Sequence, residues 1–214
     1  VDNFIEEFEK QQIKVHFARG YRSNTFHRDS RFEKEALEKL KKAKKQNIPV
    51  LFVGGLTDIA EGEGYDRESF ELPANQTALL EQILCIDDKI GFISVSGSPY
   101  NMELLSKCKG LLQLYLGGEA AAAACVRLVT GVVNPSGKLA ESIPYCEKDV
   151  PSYGYFGRQE GQSHHLDDVE YRESIFPGYR YYDTFHVPVR YCFGYGLSYT
   201  PVSYTHLRAH ETVL

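Results

Sequence analysis

The order of sequence signals predicts an α/β protein: a mostly parallel sheet with helices on both faces, an α/β sandwich, followed by an irregular Tyr- and Gly-rich wrap. Two observations carry this. From Ile13 to about Thr130, short apolar runs alternate with stripes of helical spacing. The segments between the runs are also long enough for the crossovers that parallel neighbours need.

Ile13 to Ala18 (IKVHFA) alternates apolar and polar residues and predicts a first strand. Phe32, Ala36, Leu40 and Ala43 then recur every three to four residues, which predicts a helix. Pro49 to Val53 reads as a strand covered on both faces, and a helix starting near Asn75 carries Leu79, Leu80, Ile83 and Leu84. Ile90 to Val95 predicts a third strand, Met102 to Ser106 a short helix, and Leu111 to Leu116 a fourth strand. Glu119 to Thr130 predicts an alanine-rich helix entered through Gly117 and Gly118. From Val132 the chain turns rich in Gly, Pro and Tyr, with aromatic clusters at Tyr179 to Tyr182 and Tyr191 to Tyr199 expected to pack over a sheet edge or a neighbouring domain.

The 214 residues, 43% hydrophobic and 25% charged, have the composition of a globular domain. A formal charge of -5 spread along the chain makes nucleic acid or an anionic membrane surface an unexpected partner. The basic run Lys34 to Lys45 has acids four residues before lysines (Glu35 and Lys39, Glu38 and Lys42), the pattern of a solvated helix face. Five cysteines, Cys85, Cys108, Cys125, Cys146 and Cys192, are odd in number and lack CxxC spacing; they read as reduced, structurally buried thiols suited to a cytosolic protein. No apolar run approaches the ~18 residues of a membrane helix. The opening VDNFIEEFEK has neither a starting Met nor the pattern of a secretion signal, and reads as an excerpt from a longer chain.

Ligands of such sheets gather at the carboxyl ends of the strands, where the loop EGEGYDR, Glu61 to Arg67, follows the second expected strand. Two carboxylates two residues apart are common on any acidic surface; their placement makes this pair the candidate chemical centre. Gly62 and Gly64 give the loop its shape, an ion pair between Asp66 and Arg67 is expected to brace it, and one Glu is left free to face a ligand. Competing motifs are weaker. Gly54 and Gly55 lead into LTDIA and form no dinucleotide fingerprint, and NPSGK has the Gly-Lys pair of a phosphate loop without the following Ser or Thr. His164, His165, Asp167 and Asp168 lie in a hydrophilic loop read as solvated, so no metal site is expected. SVSGSP is not a nucleophile elbow.

In this order and spacing the blocks FVGG, EGEGYDRESFELPANQ, SVSGSPYNM, YLGGEAAAAA, VVNPSGKLAESIP, YRESIFPGYRYYDTF and FGYGLSYT resemble glycoside hydrolase family 3. The resemblance covers about residues 13 to 200 and is most similar to the β-glucosidase branch. It implies the second, α/β sandwich domain of such an enzyme, here residues 1 to 200, with a core at about 13 to 145 and an irregular extension at 146 to 200. It also implies a partner outside this sequence: an N-terminal (β/α)8 barrel bearing an aspartate nucleophile in an SDW-type segment, which does not occur here.

Matched to the family, Glu63 is the expected general acid/base, because branches with a single Glu in this loop keep it immediately before Gly-Tyr; Glu61 is the runner-up. Tyr65 is an expected substrate contact, and Asp66 and Arg67 loop supports. The implied reaction is retaining hydrolysis of a β-glycoside or oligosaccharide without a cofactor, with the two carboxyls about 5 to 5.5 Å apart. These residues alone are then expected to be inactive. A different class of reading makes the chain a non-catalytic carbohydrate-binding or domain-interface module. Pro177 and Cys192 depart from the family pattern away from the acidic loop. PVSYTHLRAHETVL, with residues 201 to 214, His206 and His210 included, reads as a non-native tail similar to translated sequencing-adapter remnants.

Overall fold

The computed structural model describes residues 2 to 155 and 171 to 200. A three-stranded, wholly parallel sheet forms its centre, in the order β1 (Val50–Gly55), β2 (Ile90–Val95), β3 (Gly110–Gln113). Val50 pairs with Ile90 and Gly55 with Val95, so β1 and β2 end together and launch their following loops side by side.

Helix α2 (Ser30–Lys45) starts where the Asp29 carboxylate accepts from the Arg31 and Phe32 amides, and α3 (Ala74–Ile86) follows Pro73. These two helices pack together over one sheet face. Leu40 from α2 and Leu79, Leu80 and Ile83 from α3 meet Phe52 and Phe92, whose rings stack at 5.1 Å. Each such aliphatic side chain stabilises the fold by roughly 1.5–3 kcal/mol on full burial. Ile93, on the opposite side of β2 from Phe92, is also buried, so the second face is covered too. Helix α4 (Ala121–Val129) packs with α1 (Phe4–Lys10), and Asp2 caps α4 by accepting from the Ala123 amide at 2.7 Å. The basic run of α2 is a solvated face, with Lys39 paired to Glu35 at 2.7 Å.

Several expectations need correction. Ile13 to Ala18 forms no strand: Ile13 and Phe17 remain 40% and 59% exposed, so the alternation has no buried face to serve. The fourth expected strand stops at Gln113, because Tyr115 turns into the left-handed region at φ 56 and Leu116 faces solvent. The turn after Met102 is a single 3-10 turn at Leu105–Lys107.

Among its described residues the wrap carries short regular elements. Strand β4 (Ile143–Pro144) pairs antiparallel with β5 (Val189–Tyr191), and α5 (Tyr179–Phe185) forms within the Tyr cluster with Tyr182 buried. NPSGK proves to be a tie: the Asn134 side-chain oxygen accepts from the Tyr199 amide and the Ser198 hydroxyl, and the Leu139 amide donates to the Tyr195 carbonyl. His164, His165, Asp167 and Asp168 lie outside the described residues, as does the 201 to 214 tail. Of the cysteines, Cys125 is buried and Cys108 half-buried, with their thiols pushed up to about 11 by desolvation; Cys85, Cys146 and Cys192 are exposed, against the expectation of general burial.

Candidate active site

The loop that carries the acids leaves β1 at Gly55, where φ is 139 and an added Cβ would lie 2.0 Å from the Val95 carbonyl oxygen. Only a glycine lets β1 end that close to β2. The buried Gln76 side chain fixes this point from α3, accepting from the Gly55 amide and donating to the Gly55 carbonyl, both at 2.8 Å. The Leu56 amide then donates to Val95, and a turn in which Ala60 and Glu61 donate to the Thr57 carbonyl carries the chain outward.

At the tip, Gly62 and Tyr65 bridge across a tight turn with Glu63 and Gly64 at its centre. Gly64 has φ 93, the backbone that the third position of such a turn demands. The Tyr65 ring lies flat against Gly62, where a Cβ would come within 2.4 Å of the phenol oxygen, and its hydroxyl donates to the Asp58 carbonyl. Glu63 is therefore held at the apex of the loop. It is exposed, with no hydrogen bond or ion pair among the described residues.

Glu61, two residues earlier, is engaged differently. One carboxylate oxygen accepts from the Gly97 amide at 2.5 Å and the other from the Ser98 hydroxyl at 2.7 Å. The segment Ser96 to Pro99, which follows β2, is thus joined directly to the acidic loop. Sequence reasoning gave it no role, since nothing in the spacing of Glu61 and Gly97 shows that parallel pairing of β1 and β2 brings them together.

Arg67 supports the loop by another route than expected. No ion pair joins it to Asp66 among the described residues; it donates to the Pro99 carbonyl at 2.7 Å. Its half-buried guanidinium is pushed below its ordinary range by desolvation, against the opposing charges of Glu61, Glu147 and Glu141. Glu141, half-buried beside Arg67 and Tyr115, is raised by the same desolvation. Asp66 is exposed.

A groove of about 460 Å³ runs along the same end of the sheet, lined by Tyr21, Asn24, Gly54, Thr57, Asp58 and Ile59. Glu63 stands outside it. Among the described residues no cluster of three or more His, Cys, Asp or Glu is placed to hold a metal ion, and no helix is long and apolar enough to cross a membrane.

Residues 4–199 match the model of the Glycosyl hydrolase family 3 C-terminal domain. The chain belongs to glycoside hydrolase family 3. Among family 3 relatives, Thermostable beta-glucosidase B of Acetivibrio thermocellus is 36% identical over 208 residues, 96% of this chain and 26% of that protein. An Exo-alpha-(1->6)-L-arabinopyranosidase of Bifidobacterium longum is 36% identical over 211 residues, 98% of this chain and 27% of that protein. In shape the chain is similar to the GH3 beta-glucosidase of Bifidobacterium adolescentis, with a TM-score of 0.82 at 36% identity over 93% of this chain and 28% of that one. The beta-glucosidase of Kluyveromyces marxianus, solved in complex with glucose, gives 0.71 at 33% identity over 81% of this chain and 20% of that one. The chain thus spans about a quarter of the length of the family 3 relatives it matches, as their C-terminal domain.

Proposed function

We propose that this chain supplies the general acid/base of a retaining β-glycosidase, and that Glu63 is that residue. The observation that carries the reading is the contrast between the two acids: Glu61 spends both carboxylate oxygens on Gly97 and Ser98, whereas Glu63 stands unpartnered at the apex of a turn. An acid/base must reach a substrate and must exchange its proton twice in a cycle, and a carboxylate held on both oxygens by its own fold is less free to do so than an unpartnered one. The similarity to β-glucosidases supports this reaction class. The similarity to an arabinopyranosidase leaves a second sugar in play, since identity to it is equal.

In this reading Glu63 protonates the departing glycosidic oxygen while an aspartate of an N-terminal (β/α)8 barrel, elsewhere in the parent chain, attacks the anomeric carbon. Glu63 then takes a proton from the water that releases the sugar. Tyr65, half-exposed beside the apex, is the sugar contact in this reading, and Arg67 holds the loop. The 214 residues by themselves hold one of the two carboxyl groups and hydrolyse nothing.

The test is leaving-group dependence in the full-length parent protein. Glu63→Ala is expected to lower hydrolysis of alkyl β-glucosides about 10²–10⁴-fold, the usual worth of general acid catalysis. Dinitrophenyl glucoside, whose aglycone needs no protonation to leave, is expected to lose far less in the glycosylation step. Equal losses on both substrates would remove Glu63 from the acid role.

A further inference from the structure

The acidic turn is fastened to the sheet on both sides of its apex, and both fastenings land on one short segment. Before the apex, Glu61 receives the Gly97 amide and the Ser98 hydroxyl. After it, Arg67 donates to the carbonyl of the next residue, Pro99. Three consecutive residues that follow β2 therefore hold a loop that follows β1, and the Arg67 cation adds attraction to the Glu61 carboxylate.

The receiving segment is shaped for this. A Cβ on Gly97 would lie 3.1 Å from the Leu116 side chain, tighter than ordinary packing, and 3.4 Å from the Glu61 carboxylate, in ordinary contact, so there is little room to spare beside this amide. Ser96, next to Gly97, is buried and accepts from the Gln113 side chain of β3 at 3.1 Å. Gly97 is thereby referenced to two strands. By contrast, among the described residues the tip itself, Gly62 to Tyr65, has its own bridge and the Tyr65 bond to Asp58 to hold it.

We propose that Glu61 is a positioning residue, which sets the height and direction of Glu63 by clamping the turn to Gly97 and Ser98, with Arg67 as the matching clamp on the far side. This rests on the reading of Glu63 as the acid/base. Glu61 works through the shape of its two hydrogen bonds, so an amide of the same outline replaces it. The Gln carbonyl accepts from the Gly97 amide, and its NH₂ donates to the Ser98 oxygen, which can accept as well as donate. Alanine leaves both donors unmatched and frees a residue two positions from the apex. A misplacement of about 1 Å at a reacting group costs on the order of 10²-fold in rate.

The experiment compares Glu61→Ala, Glu61→Gln and Glu63→Ala in the full-length protein, and follows amide exchange of Gly97 in the 214-residue chain carrying each Glu61 substitution. Glu61→Ala is expected to lower kcat on an aryl β-glucoside about 10- to 100-fold with KM within about threefold, to form no glycosyl azide when azide is supplied, and to speed exchange at Gly97. Glu61→Gln is expected to keep kcat within about fivefold, since an acceptor stays opposite the Gly97 amide. If Glu61→Gln is as damaged as Glu61→Ala, or if Glu61→Ala yields glycosyl azide, Glu61 is itself the proton carrier and the proposal is wrong. If Glu61→Ala keeps wild-type kcat while Glu63→Ala loses it, the clamp is dispensable and only the acid/base reading survives. If Glu63→Ala keeps full hydrolysis, that reading fails and takes the clamp with it.

Discussion

Replacing Gln76 by Leu would remove the anchor of the strand end from which the whole acidic loop departs. In the native fold the Gln76 side chain is fully buried and pairs with both backbone groups of Gly55, each at 2.8 Å, at a point where Gly55 is pressed against Val95. Leu has similar volume and no polar atoms, so the Gly55 amide and carbonyl would both stay buried and unpaired. Each such loss costs about 1–3 kcal/mol, and the better transfer of an apolar side chain returns part of it, which leaves a net destabilisation of about 2–4 kcal/mol. For a domain of this size that is a fall in Tm of about 6–12 °C. Urea titration followed by circular dichroism measures it. Gln76→Glu sharpens the test, because a carboxylate would oppose the Gly55 carbonyl while the protonated acid can donate to it. The buried Glu would have a raised folded value, so its stability would be present at low pH and lost as pH rises. If Gln76→Leu stays within about 0.5 kcal/mol of the native chain, well below the cost of one unpaired buried group, the structural account of this strand end is wrong.

Gly62→Ala should push the Tyr65 ring off the turn and break its bond to Asp58, with little change in Tm and a clear drop in hydrolysis by the full-length protein; a Tm fall above about 5 °C would mean that the turn is part of the folding core. Glu141 is raised above its ordinary 4.5 by desolvation, so its contribution to stability is full below that value and is lost as pH rises through the folded value. Glu141→Gln should flatten this part of the urea midpoint profile between pH 4 and 8, and an unchanged profile would contradict the assignment. In the native chain a thiol reagent should label Cys85, Cys146 and Cys192 rapidly, and reach Cys108 and Cys125 only on unfolding, because their thiols are held near 11 by burial.

Periodicity located the elements whose burial is simple. Ile90 to Val95 was expected as a strand and is β2 with the same bounds, because an apolar run covered on both faces can do little else. The α2 stripe and the α3 leucines likewise point where their spacing says. Ile13 to Ala18 failed because alternation says which residues share a face, not that a face is buried. Helix α5 lay hidden in a run of tyrosines that composition reads as surface packing. Within the site, the sequence could mark both acids but not rank them from their own neighbours. The groups that occupy Glu61 arrive from Gly97 and Ser98, more than thirty residues on, through the parallel pairing of β1 with β2. The Arg67 partner was misread for the same reason, since the adjacent Asp66 was the local choice and Pro99 the folded one.

The identity of the proton carrier is tested most directly by the product formed in azide. With the acid/base gone, an activated glucoside still glycosylates the enzyme, and azide, which needs no deprotonation, replaces water. Full-length Glu63→Ala should therefore convert dinitrophenyl β-glucoside to β-glucosyl azide with turnover restored, and Glu61→Ala should give glucose alone. Glucosyl azide from Glu61→Ala and none from Glu63→Ala would contradict the account.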